Sequence, residues 1–135
     1  MQMTPGVIRG ISELALWVTD LERAVAFYRD RLGFAGEEVE AGHYAFLKSG
    51  GLVLGLFLPS DPGTPLAREY LARTGGPRGD VYHVGFLVEG KDLDGLATAL
   101  REQGQEVRGP VEFATGRRSY FLEDPDAHYI ELTDQ

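Results

Sequence analysis

The sequence predicts an α+β fold in which two βαβββ modules form a curved mixed sheet around a small-molecule cleft. Three observations predict it. The same succession of strand and helix patterns runs twice along the chain. The two helical patterns open on matching apolar residues, Leu21 and Leu93. A polar residue stands at the same place in the first strand of each unit, Glu13 and His83. A repeat on this scale constrains architecture more than any single element does, because each sheet has one face to bury on its helix and another left for a ligand.

Each element has its own signature. Ile11 to Val18 alternates as a strand, with Leu14, Leu16 and Val18 on one face. Asp20 is an N-cap, and Leu21, Ala24, Val25, Tyr28 and Leu32 fall at helical spacing before Gly33 ends the run. Phe34 to Glu40, Tyr44 to Lys48 and Leu52 to Leu58 read as strands, with Gly42 and Gly50-Gly51 in the turns between them. Pro59 to Asp80 is rich in Pro and Gly. It holds one short helical stretch, Leu66 to Ala72, and is a candidate lid or partner surface. The pattern then restarts with a strand over Val81 to Val88 and a helix over Leu93 to Gln103, ended by Gly104. Strands follow at Val107 to Phe113, Ser119 to Glu123 and Tyr129 to Thr133, with Asp124 to Ala127 as the last turn.

Bulk properties set the limits. With 135 residues and 43% hydrophobic content, the chain suits one domain, comprising module 1 at about 8–58, a linker at 59–80 and module 2 at about 81–135. A formal net charge of −8 argues against nucleic acid and anionic membrane surfaces, both of which select Lys and Arg. No apolar run is long enough to span a membrane, and the opening MQMTPGVIRG lacks a secretion pattern, so a cytoplasmic location is expected. The absence of cysteine removes disulfides, thiol catalysis and thiolate metal ligands. There is no P-loop, no G-x-G-x-x-G between strand and helix, and no nucleophile elbow around a serine.

Strand alternation picks out the candidate chemistry. Glu13 is out of phase with Leu14, Leu16 and Val18, His83 with Val84, Phe86 and Val88, and Glu131 lies between Ile130 and Leu132. If the aliphatic residues pack on the helices, all three polar side chains project from the opposite, concave face. The fourth repeat-equivalent position is Gly55. One imidazole and two carboxylates suit a first-row divalent ion (Fe, Mn, Ni or Zn) with open positions for substrate, and the ion would relieve repulsion between the carboxylates. Trp17 and Phe57 share the predicted cleft phase, and Tyr120 and Arg118 are further candidates for substrate binding. In the GRRSY segment, Arg117 or Arg118 is a candidate partner for an anionic substrate, with surface charge as the favoured reading; His43 and His128 read as exposed turn residues, and Gly55 as a point of close approach.

The stretches ISELALWVTDLERAVAFYRDRLGF and YFLEDPDAHYIEL resemble the opening and the closing strand pair of the vicinal oxygen chelate superfamily. That superfamily includes glyoxalase I, extradiol dioxygenases, fosfomycin-resistance enzymes and bleomycin-resistance proteins. The resemblance implies metal ligands at Glu13, His83 and Glu131, with Glu131 or Glu13 doubling as a catalytic base. It also implies a homodimer, with modules paired within a chain or exchanged between chains. Two positions depart from the pattern: Glu13 stands where His or Gln is usual, and Gly55 stands where glyoxalase I has a carboxylate. A metal-dependent lyase, isomerase or dioxygenase acting on vicinal oxygens is the first expectation. A metal-free small-molecule binder is the alternative, with an acidic pocket suited to a cation, and a dimerisation module is the third.

Overall fold

The computed structural model describes residues 5–7, 10–77 and 81–135. The expected start of module 1 at residue 8, the linker residues 78–80 and parts of the N-terminal segment lie outside the described residues. The chain divides into two compact units, Met1–Pro77 and Arg78–Gln135, so the linker helix belongs with the first.

The first unit contains β1 (Glu13–Trp17), α1 (Leu21–Ala26), β2 (Ala35–Glu40), β3 (Tyr44–Ser49), β4 (Leu52–Phe57) and α2 (Pro65–Thr74). Its sheet has the order β1-β4-β3-β2, with β1 parallel to β4 and the other pairs antiparallel. The second unit contains β5 (Val84–Leu87), α3 (Gly90–Glu102), β6 (Arg108–Glu112), β7 (Arg118–Glu123) and β8 (Tyr129–Thr133). Its sheet order is β5-β8-β7-β6, again with one parallel pair, β5 with β8. The two sheets have the same connectivity, as the repeat predicts.

One face of each sheet is covered by its helix. In the first unit Leu16, Val18, Ala45, Leu47, Leu54 and Leu56 are buried, together with Leu21, Ala24, Val25 and Tyr28 from the helix that follows β1. In the second, Leu93, Ala97 and Leu100 of α3 are buried together with Tyr120, Leu122, Ile130 and Leu132. Each fully buried aliphatic side chain contributes about 1.5–3 kcal/mol, so these paired layers fix which face of each strand remains for chemistry.

Helix ends follow the expected capping. The Asp20 carboxylate accepts from the Arg23 N–H at 3.0 Å. Past Ala26 the helix widens into a π-helical stretch, Phe27–Arg31, which buries the adjacent Phe27 and Tyr28 together, and Gly33 closes it at φ 78°. The helix of the connection is longer than its apolar pattern suggests. Thr64 caps it through the Ala67 N–H, Pro65 opens it, and Gly75 ends it in the left-handed region. Helix α3 starts at Gly90, ahead of Leu93, because its first turn is polar and makes no core contact for an apolar count to detect.

Strands β1 and β5 are shorter than their alternation predicts. Their partners β4 and β8 do not extend to Ile11, Val81 or Tyr82, which are 81%, 66% and 80% exposed. Strand β6 is irregular between Arg108 and Val111, where Gly109 and Pro110 interrupt an edge strand.

Candidate functional site

The register of the parallel pairs defines the site face. Ala15 stands opposite Gly55 in the first unit, and Gly85 opposite Glu131 in the second. Glu13 and His83 each lie two positions earlier on the same phase. Gly55 and Glu131 are thus structural equivalents, as are Glu13 and His83.

In the second unit, His83 and Glu131 come together. Nε2 of His83 lies 3.3 Å from Oε1 of Glu131, whose side chain is only 3% exposed. The other carboxylate oxygen, Oε2, accepts from the Ser119 hydroxyl at 2.7 Å and pairs with Nη2 of Arg117 at 2.5 Å. Antiparallel pairing sets this up: Phe121 faces Glu131 and Ser119 faces Thr133, so Ser119 reaches the carboxylate from the neighbouring strand. Arg117 is further anchored by an Nε hydrogen bond to Oγ1 of Thr133 at 2.9 Å and by the Phe113 ring beneath its guanidinium. Burial, the largest single influence, pushes the Glu131 carboxyl upward. The Ser119 hydroxyl and the Arg117 guanidinium, aided by His83, outweigh it and hold the group below the ordinary carboxylate value.

Three expectations are corrected by these contacts and by the burial of the histidines. Arg117 is not plain surface charge, since its side chain is 36% exposed and it supplies the cation that Glu131 requires. No ion is therefore needed to keep that carboxylate ionised. His43 and His128 are half-buried, with Nδ1 of His43 at 3.0 Å from the Asp61 carbonyl and Nε2 of His128 near the Asp124 carboxylate.

In the first unit, Glu13 is exposed and leans over Gly55: a Cβ built there would stand 3.4 Å from Oε1 of Glu13, 2.9 Å from Phe57 and 3.2 Å from Phe46. The close approach expected at Gly55 is thus made by side chains of its own unit. Trp17 and Phe57 lie on this face in edge contact, at a centroid distance of 6.2 Å. Tyr44 and Phe46 pack against Phe57, and Tyr70 of α2 stacks on Trp17, so the face is aromatic well beyond the two residues its alternation identifies.

Arg118 and Tyr120 occupy the opposite, helix-covered face. Both bind Asp94 of α3: Arg118 through two hydrogen bonds at 2.9 and 3.2 Å, and Tyr120 through its hydroxyl at 2.5 Å. They tie α3 to β7 and do not share the face of Glu131.

An ion would draw on one imidazole and one carboxylate of the second unit. Among the described residues, no three His, Asp or Glu side chains stand close enough to hold a metal. The pair itself has ligand chemistry. Two donors about 2.0–2.2 Å from one tetrahedral ion stand about 3.4 Å apart, close to the 3.3 Å between His83 and Glu131. Nδ1 of His83 is buried with no hydrogen-bond partner among the described residues.

No described helix is long and apolar enough to cross a membrane. A metallothiol transferase FosB from Shouchella clausii (strain KSM-K16) is 27% identical, with 93% of this chain and 80% of the relative covered. The Bacillus subtilis (strain 168) protein YwkD is 31% identical across 96% of this chain and 99% of its own. A crystal structure of lactoylglutathione lyase from Agrobacterium tumefaciens superposes with a TM-score of 0.73 at 26% identity, covering 94% of each chain. Residues 10–132 match the family model, and the chain belongs to the Glyoxalase/Bleomycin resistance protein/Dioxygenase superfamily.

Proposed function

We propose that the protein is a divalent-metal-dependent enzyme acting on a small molecule with vicinal oxygens, with His83, Glu131 and Glu13 as ligands. The observation that carries this reading is the approach of the half-buried His83 to the buried Glu131 carboxylate on the site face, at ligand-to-ligand spacing. Glu13, of the same chain or of a second copy, is assigned as the third ligand because it is the repeat equivalent of His83. The names borne by two relatives, metallothiol transferase and lactoylglutathione lyase, favour group transfer or lyase chemistry over ring cleavage.

Each residue has a distinct task. Ser119 and Arg117 occupy Oε2 of Glu131 and leave Oε1 aimed toward His83. A carboxylate held below its ordinary pKa is a weak base, so Glu131 serves as a ligand, and the proton-accepting role falls to the exposed Glu13 when it is not coordinated. Trp17 and Phe57 provide apolar surface for the substrate. A bound ion supplies Lewis-acid stabilisation of negative charge developing on a substrate oxygen. The proposal includes a cytoplasmic location, which cell fractionation tests, and a homodimer, which light scattering of the purified protein tests.

The reading is tested by metal analysis of protein purified without chelators and then incubated with Mn²⁺. About one ion per chain is expected, with Glu131→Gln and His83→Ala losing most of it, because coordination requires deprotonated donors. A wild-type protein that takes up no metal overturns the reading. That outcome supports the second one, a metal-free binding protein, which the ready-made Arg117–Glu131 ion pair favours.

A further inference from the structure

We infer that the first unit binds an organic cation, an alkylated ammonium group, on the aromatic face made by Trp17, Phe57, Tyr44 and Phe46 and bordered by Glu38 and Glu40. The inference goes beyond the metal reading and does not depend on it.

Strand register builds this face. Residues paired across neighbouring strands point to the same side of a sheet. Trp17 pairs with Phe57, Phe57 with Tyr44, and Tyr44 with Glu40, so one row crosses all four strands as three aromatic rings and a carboxylate. The adjoining row runs Ala15, Gly55, Phe46 and Glu38. Tyr44 stacks on Phe57 at a centroid distance of 5.6 Å, and Phe46 meets both rings edge-on. Tyr70 of α2 stacks on Trp17 at 6.0 Å and bounds the far end. The four rings of the sheet are half-buried and Tyr70 is 37% exposed, so aromatic surface stays open to a ligand.

Charge decides the class of ligand. Glu38 and Glu40 stand on β2, the edge strand, every residue of which is exposed. Oε1 of Glu38 accepts from the Tyr44 hydroxyl at 3.1 Å. That bond is the main reason the Tyr44 hydroxyl titrates above its ordinary value. Burial comes next, and the charges of Glu38 and Glu40 both add to it, so both carboxylates act on this ring. Neither has a cationic side chain within ion-pair distance among the described residues. Lys48, on the same face, lies two rows from Tyr44 and pairs with Glu37 of the β2 bulge at 3.8 Å. A cation over an aromatic ring is held by the ring quadrupole, and the two carboxylates supply its counter-charge. A neutral group gains neither, and an anion is repelled. The rings offer no lone pairs to replace a hydration shell, so a weakly hydrated alkylammonium is favoured over a metal ion.

Trp17 is the one tryptophan in the chain, so its fluorescence reports on this face directly. The test titrates metal-free, full-length protein with choline and with 3,3-dimethylbutan-1-ol, its neutral isostere, at constant ionic strength. Choline is expected to change the Trp17 emission saturably and to bind about 10-fold more tightly than the alcohol. The double variant Glu38→Gln, Glu40→Gln is expected to lose about that 10-fold for choline and to leave the alcohol unchanged. Both positions are exposed, and an unchanged urea midpoint shows that the variant is folded. Equal binding of the two compounds, or choline affinity that survives the double substitution, overturns the inference. So does an emission that shifts to the blue as protein concentration rises and ignores choline, which would assign the face to a second copy of the chain. None of these results bears on metal uptake, and a protein that takes up no Mn²⁺ leaves this inference standing.

Discussion

Replacing Ser119 with alanine removes a hydroxyl that donates at 2.7 Å to Oε2 of Glu131, on a residue that is fully buried. Hydrogen bonds to a charged group contribute about 1.5–3 kcal/mol, and the carboxylate left behind is too enclosed for water to replace the donor easily. Metal-free Ser119→Ala should therefore unfold with about 1.5–3 kcal/mol less stability at pH 7, a urea midpoint lower by about 1 M, and an unchanged slope. The loss should depend on pH in a definite direction. The Glu131 pKa is depressed in the folded state, so its stabilising contribution is complete above the ordinary glutamate value, about 4.3. That contribution disappears as pH falls through the lower folded value. The difference between the two proteins should shrink toward the neutral hydrogen-bond level, about 1 kcal/mol, as the carboxylate protonates. Urea titrations from pH 7 down to pH 3 provide the assay. A loss under about 0.5 kcal/mol at pH 7, or a loss that is the same at every pH, would refute the reasoning.

Other perturbations separate site from scaffold. Gly55→Ala puts a methyl group 2.9 Å from the Phe57 ring and 3.2 Å from Phe46, and should cost about 1–3 kcal/mol in thermal or urea unfolding. Gly63→Ala combines a φ of +78° with a Cβ only 2.6 Å from that of His43. Its melting temperature should fall by several degrees, whereas Gly95→Ala at an exposed position of α3, where an added Cβ meets nothing within 4 Å, should hold or rise. Arg118→Ala should lower the melting temperature by releasing Asp94, yet leave metal content at the wild-type value, because its side chain lies on the helix face.

The sequence carries the architecture because the repeat is written in local periodicity: alternating strands, two apolar helix stripes, and glycines at the turns. The phase of Glu131 was legible for the same reason, since it lies between Ile130 and Leu132, which are both buried. The phase of β7 was not. Whether Ser119 or Tyr120 shares a face with Glu131 depends on how the Asp124–His128 turn registers β7 against β8. Asp124 settles that register by accepting from the N–H groups of Asp126 and His128, with Ala127 at φ 66°. This pairs Phe121 with Glu131 and sends Tyr120 to the helix side. Arg117 was hidden by the same uncertainty, because its value lies in a long-range partner fourteen residues on in the sequence, Glu131. The π-helical widening after Ala26 was equally invisible, because a single added residue in one turn barely disturbs the apolar stripe.

Crystals of Mn²⁺-loaded protein, examined by anomalous scattering at the manganese edge, test the metal assignment most directly. The account predicts a single strong peak about 2.0–2.2 Å from Nε2 of His83 and Oε1 of Glu131, with a Glu13 carboxylate oxygen as a further ligand. A loaded crystal with no peak at His83 and Glu131, or with its ion bound elsewhere, would contradict it.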